Sequence, residues 1–298
     1  MPDKTCQIAV ITMPECEVKF WAVAFLDVLG MRDALRRMDF DPHAGLPNAE
    51  RLVAAMNESM GAMERFKDFW DSFEQGQQKA KAPPLNRSVS LATVELFRQW
   101  RQVQLKHQQL GDALVLYSPL HEAADNSPVR GLYLLFAACA TLFLGQLARG
   151  SAIRGGIELG AGVEHKTGGL YSAALVKAFD LESKVAKYPR IVIGDTVKKY
   201  LDWIKSRHQS IRQKADAGAA EAIQQLICVD PDDGQMIVDY LGRGFRDQIA
   251  KDHAETLVRH AHQFVREQVS HWKKLECAKL ENRYRKLSSY FERRMYLW

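Results

Sequence analysis

The stretch Gly131–Ala148 (GLYLLFAACATLFLGQLA) carries no charged residue. That is roughly the shortest length for a helix that crosses a bilayer. It contains Gly131, Gly145 and Gln146, and Arg149 and a strand-like segment follow at once. These features fit a helix buried in a protein core better than a membrane span. A helix that is apolar all round has to be covered on every side. The chain must therefore build layers of secondary structure around it.

The chain has the means to do so. Of its 298 residues, 47% are hydrophobic and 26% charged, an ordinary globular mixture. A core of that size is stable without staples. The five cysteines, Cys6, Cys16, Cys139, Cys228 and Cys277, are widely spaced and form no C-x-x-C motif. A reducing compartment suits them better than a disulfide framework. No basic segment followed by an apolar run opens the sequence, so the expected location is cytoplasmic. The formal net charge of +5 suits an anionic ligand such as a triphosphate. It also suits weak nucleic-acid binding, and charge alone does not separate the two.

Residues 19 to 29 (KFWAVAFLDVL) are apolar, aromatic and β-branched enough for a central strand that breaks at Gly30. Residues 48 to 74 carry helical spacing, with Leu52, Met56, Met60, Met63 and Phe66 on one side. Pro83 and Pro84 make the polar stretch after it a loop, and a helix is expected from about Leu91 to Trp100. Residues 102 to 118 read as a hairpin turning at Gly111-Asp112. The apolar helix follows. Next come a strand over 152 to 160, a glycine-rich loop, a helix from about Ser172 to Ala186 and a short strand over 190 to 194. This order predicts an α+β sandwich. Residues 196 to 298 read as mainly helical, with a hairpin around Pro231-Asp232-Asp233-Gly234 and a basic helical pattern from about Phe245 to Tyr290.

Two aspartates stand out. Asp27 is the only charge between Lys19 and Arg32 and ends an apolar strand. A carboxylate there is costly unless a cation or hydrogen-bond donors meet it. It could instead cap a helix starting near Met31. Asp112 sits at a hairpin tip, where Gly-Asp is ordinary turn chemistry. Together, F-x-D-x-x-G over Phe25–Gly30 and G-D at Gly111-Asp112 resemble the class III adenylate and guanylate cyclase family. Ile153-Arg154-Gly-Gly-Ile157 through Gly160 looks like that family's R-x-G-I-x-x-G strand. Gly169 to Ser183, ending Leu181-Glu182-Ser183, looks like its G-x-x-V-N-x-A-x-R-L-E-S helix. Each motif is short, but the four stand in the family's order over about residues 20 to 195.

The resemblance implies a ferredoxin-like sandwich over residues 1–195, with a long helical insertion at about 40–100. Residues 196–298 would be a mainly helical region packed on it. It implies two divalent ions, Mg²⁺ or Mn²⁺, held by Asp27, Asp112 and the Val28 carbonyl. The turn Val28-Leu29-Gly30 and Arg154 would contact the triphosphate; otherwise Arg154 pairs with a nearby carboxylate on the sheet.

Departures from the family pattern narrow the expectation. Purine cyclases carry an asparagine and a transition-state arginine one turn apart, where this chain has Val176 and Asp180. Lys177 or Lys184 would have to take over that charge, although Lys177 is turned by about 100° from the asparagine position. The two purine-reading positions are Gln108 and Gly169 here. Loss of those partners removes purine selection, and the Gln108 amide offers both donor and acceptor to a pyrimidine. This combination, with A-L-V-K-A at 174–178 and P-R-I-V-I at 189–193, resembles the pyrimidine cyclases of the bacterial Pycsar anti-phage system. That implies a homodimer with sites at its interface, UTP or CTP as substrate, and a cyclic pyrimidine nucleotide that activates a separate effector. Two other functions are compatible with the sequence. One is a cyclase-homology domain that binds without turnover. The other is a basic nucleic-acid-binding protein, although Glu267, Glu276, Glu281 and Glu292 interleave its basic residues as on a solvated helix face. The histidines at 253, 260, 262 and 271 lack the spacing for a metal site.

Overall fold

The computed structural model describes residues 11–13, 16–29, 105–120, 128–165, 169–207, 209–250 and 254–298, plus scattered helical positions between 50 and 75. Gly30, the loop at 76–88 and the helix expected at Leu91–Trp100 lie outside the described residues.

The fold is α+β. Nine described strands form one mixed, mostly antiparallel sheet: β1 (Ile11–Met13), β2 (Cys16–Val28), β3 (Lys106–Leu110), β4 (Ala113–Pro119), β5 (Ile153–Glu164), β6 (Leu170–Ser172), β7 (Ile191–Ile193), β8 (Ile227–Val229) and β9 (Met236–Val238). The main path runs β3-β4-β2-β5-β7-β9-β8, with β1 on β2 and β6 on β5. Among the described strands, β5–β7 is the one parallel pair.

Seven helices have described bounds: α1 (Pro128–Ala148), α2 (Ala173–Asp180), α3 (Asp195–Lys205), α4 (Ile211–Gln224), the single turn α5 (Arg243–Phe245), α6 (Glu255–Lys274) and α7 (Ala278–Glu292).

Strand β2 shows why residues 19–29 read as continuously apolar rather than alternating. Successive side chains of a strand point to opposite faces. Ala22, Ala24, Leu26 and Val28 enter the main core, while Trp21, Val23 and Phe25 join a second cluster with Ala113, Val115, Tyr117, Ala174 and Ala178. Both faces are covered, so both parities are apolar.

Helix α1 is the uncharged stretch. Among the described residues it is the one helix long and apolar enough to cross a membrane, and its most apolar part is 83% buried inside the fold. It packs on β4 and β2 with one side and on α4 and α6 with the other. Leu132, Leu135, Phe136, Leu142 and Phe143 are fully buried. Each contributes about 1.5–3 kcal/mol.

The glycines of β5 have a different task. The sequence places a loop after residue 160, but the strand runs on to Glu164 and pairs with β6. Helix α2 lies directly on this strand. A Cβ at Gly156 would sit 2.3 Å from the Ala178 carbonyl oxygen, and one at Gly160 would sit 2.8 Å from the Ala174 nitrogen. Gly156→Ala is therefore expected to lower stability by about 1–3 kcal/mol, read from the denaturation midpoint. An unchanged midpoint would refute the close packing of α2.

The C-terminal third shares the sheet and the core. Hairpin β8–β9 joins through Val192↔Ile237. The basic pattern expected as one helix is divided at Glu276, whose φ is +52°, into α6 and α7. Leu275 is exposed at this break.

Arg190, just before β7, fastens the hairpin. It is 2% exposed and bonds Asp230, Asp233 (2.6 and 2.9 Å) and the Val185 carbonyl (3.0 Å). Burial works against its charge, but the hydrogen bonds and carboxylates outweigh it and hold the guanidinium above its ordinary pKa.

Candidate functional site

Asp27 is the last residue of β2 on the α2 face. It lies opposite Ala113 of β4 and Arg154 of β5. The helix expected near Met31, which Asp27 could instead cap, lies outside the described residues. Leu29 remains tied to the sheet edge, donating its N–H to the Ala152 carbonyl at 2.8 Å. Asp27 is 4% exposed. A carboxylate buried this deeply needs compensation. Part of it is Arg154, whose Nη2 stands 3.9 Å from Asp27 Oδ2.

Asp112 occupies the two-residue turn of the β3–β4 hairpin. Gly111 before it takes φ +62° while Asp112 does not take a positive φ, the pattern of a II′ hairpin turn. The ladder reaches this turn: Val28 donates its N–H to the Asp112 carbonyl at 3.4 Å. Asp27 and Asp112 thus lie at the same end of neighbouring strands. Asp27 itself is opposed by Ala113, and Asp112 is one residue beyond that pair, across from Val28. Asp112 is half-buried at the tip.

Arg154 has a second carboxylate, which sequence reasoning passed over. Its Nε donates to Glu182 Oε1 at 2.6 Å, and its Nη2 pairs with the same oxygen. Glu182 is 1% exposed. It sits on a π turn, Leu181–Val185, that continues α2. Such turns recur at functional sites. The L-E-S tripeptide was the available signal, but nothing local says where a π turn aims its side chain. The sequence suggested a carboxylate on the sheet as the alternative partner; the closer partner, Glu182, lies on the π turn, and the sheet carboxylate of Asp27 stands at 3.9 Å.

Gln108 and Gly169 are far apart in sequence and meet in space. Gln108 Oε1 accepts the Leu170 N–H at 2.9 Å, and Gly169, at φ +99°, lies against that same amide group. Gln108 pairs with Val115, which pairs with Phe25. Opposed residues share a face, so Gln108 and Asp27 are on the same side of the sheet, two residues apart along the strand direction. That is about 7 Å.

Lys177 is not brought to Asp27 within the chain. Ala174 and Ala178 form the buried stripe of α2, and Phe179 packs edge-on against Phe25 of β2 at 5.3 Å. At about 100° per residue, Lys177 falls on the opposite flank. Its side chain is exposed. Lys184 bonds Asp180 at 2.8 Å, an exposed pair one turn apart.

Oxygen donors dominate this end of the sheet: the carboxylates of Asp27 and Asp112 and the Val28 carbonyl. That chemistry fits Mg²⁺ or Mn²⁺. Among the described residues, no three His, Cys, Asp or Glu side chains gather as a metal-binding group. The set here has only two side chains and a backbone oxygen. No protein-family model matches the chain, and no curated protein matches it.

Proposed function

We propose that the chain is a pyrimidine nucleotide cyclase, converting UTP or CTP to the 3′,5′-cyclic monophosphate and pyrophosphate. One observation carries the reading. Asp27 and the hairpin aspartate Asp112 come to the same end of adjacent strands, linked by the Val28 N–H to Asp112 carbonyl bond. Two divalent ions held by Asp27, Asp112 and the Val28 carbonyl would acidify the ribose 3′-OH and stabilise charge on the α-phosphate. Asp27 is fixed for this by two ladders, and Asp112 by its turn. Gln108 supports a base-reading role. Its amide oxygen is bonded to Leu170, which leaves the NH₂ as the end that can donate to a pyrimidine carbonyl. The meeting of Gln108 and Gly169 supports the family alignment independently of the aspartates.

A homodimer with interface sites suits the exposed side of α2. Tyr171, Val176 and Phe179 are large apolar side chains exposed there. In such a dimer Lys177, which faces away from its own Asp27, would serve the site of the second copy. The cyclic product would act as a cytoplasmic signal to a separate effector in anti-phage defence.

Incubating the full chain with an equimolar mixture of UTP, CTP, ATP and GTP and Mn²⁺ should yield one dominant cyclic pyrimidine nucleotide by mass spectrometry. No cyclic product from any of the four would count decisively against an enzyme. The pairing of Asp180 with Lys184 favours a second reading, binding without turnover, because the family's transition-state arginine would occupy that position. Saturable UTP binding with no product would establish it. The nucleic-acid reading is less well supported. Several of its basic residues are engaged within the fold, Arg285 with Glu281, Lys286 with Asp232 and Arg294 with Asp239.

A further inference from the structure

We propose that the exposed side of α6 is a groove for a single strand of nucleic acid, held through its phosphates by Arg259, Arg266 and Lys274. The proposal stands apart from the cyclase reading and does not depend on it.

The break at Glu276 divides the basic C-terminal pattern into two parts with different tasks. Cations of α7 and of the residues after it are engaged within the fold, Arg285 with Glu281, Lys286 with Asp232 and Arg294 with Asp239. On α6, Val258, Ala261 and Val265 form the buried stripe. At about 100° per residue, Arg259, Arg266 and Lys274 fall on the opposite side. All three are exposed. Among the described residues no carboxylate pairs with them, and Arg259 makes one long contact, 3.5 Å to the Thr256 hydroxyl. A groove of about 660 Å³ runs along this side, lined by α6. Its lining holds these three cations and one anion, Glu267, a formal +2 with the histidines counted neutral. Glu267 accepts a hydrogen bond from Gln263 at 2.8 Å.

Spacing and lining identify the occupant. Along the helix axis Arg259 and Arg266 are about 10 Å apart, and Arg266 and Lys274 about 12 Å. The adjoining phosphates of one nucleotide cannot reach all three charges. A polymer with a phosphate at every residue can, and a basic groove that tracks such a backbone is how single strands are held. Among the described residues no aliphatic side chain lines the groove. It therefore offers neither the apolar anchor of a protein interface nor the apolar face of a membrane-surface helix. Guanidinium and ammonium groups suit phosphate oxygens. His271, one turn before Lys274, is exposed and lies edge-on to Trp272 at 4.8 Å. Its ring is a platform for a base, and stacking there requires an unpaired base.

The test is fluorescence anisotropy of a labelled oligothymidylate of about 15 nucleotides with the full-length chain, with thermal melting as the folding control. Wild type should bind saturably at about 50 mM salt. Neutralising three phosphates predicts a loss of roughly 15- to 20-fold in affinity on raising the salt to about 200 mM. Arg266→Glu/Lys274→Glu should weaken binding about tenfold or more at the lower salt. Lys199→Glu/Lys214→Glu makes the same change in net charge at exposed positions of α3 and α4. That control should stay within about threefold of wild type, because the effect belongs to the groove and not to the charge of the whole protein. No binding by wild type at the lower salt would overturn the proposal, and so would an equal loss in the two double variants. If charge reversal on α6 prevents folding, Arg266→Gln/Lys274→Gln decides, and wild-type affinity in it would overturn the proposal. Vesicles containing phosphatidylserine form the second arm. If the α6 variant loses vesicle binding but keeps the oligonucleotide, the groove serves a membrane and the proposal falls.

Discussion

On the proposed cyclase function, Asp27→Ala or Asp112→Ala should reduce cyclic-nucleotide formation by about 10³-fold or more, with the fold retained. The size follows from the role. Removing one preorganised stabiliser of transition-state charge costs about 10²–10³ in rate, and losing a metal ligand removes more than one interaction. Retention of the fold follows from the surroundings. Removing a buried carboxylate is damaging when it strands a cation. Arg154 is not stranded in Asp27→Ala, because Glu182 still holds it through Nε and Nη2. Asp112 is only half-buried, and Gly111 supplies the positive φ that the turn needs. The measurement is product by mass spectrometry on variants whose melting temperatures match wild type. Near-normal turnover in either variant would exclude the two-aspartate site.

The second large effect concerns stability. Arg190→Met should destabilise the chain by about 3–5 kcal/mol, the cost of removing one partner from a buried ion pair. Arg190 is buried with Asp230, and its loss leaves that carboxylate with the Tyr188 hydroxyl but no cation. The tyrosine is a poor substitute. Burial, then its hydrogen bond to Asp230, already raise the Tyr188 pKa well above the ordinary phenol value, so it stays neutral. For a chain of this size the loss corresponds to a fall in melting temperature of roughly 6–15 °C. The same variant removes one of the two donors to the Val185 carbonyl, leaving the Lys187 N–H, and so loosens the π turn that carries Glu182. A drop of less than about 2 °C would mean that the cluster does not fasten the hairpin to the sheet.

Much of the architecture was legible because it rests on local signals. The uncharged stretch marked α1, Gly111-Asp112 marked the β3–β4 turn, and Pro231–Gly234 marked the turn between β8 and β9. The glycines of β5 misled for a physical reason. Their composition resembles a loop, but Gly156 and Gly160 are small to admit a helix, and only the packing of α2 reveals that. The break at Glu276 was also invisible, because the periodicity on its two sides reads as one continuous pattern.

The candidate site divides along the same line. Sequence by itself determined which residues carry unusual chemistry: a lone carboxylate ending an apolar strand, a second at a hairpin tip, and an arginine entering a glycine-rich strand. It also determined that an asparagine and an arginine expected one turn apart on α2 are absent. Tertiary structure alone decided who faces whom. It set Asp27 opposite Arg154, turned that arginine to a buried Glu182, joined Gln108 to the 169–170 backbone, and put Lys177 on the far flank of α2. The reason is one of range. Strand and helix periodicities act over a few residues, whereas these pairings are fixed by strand register and by a π turn, which depend on how distant segments pack.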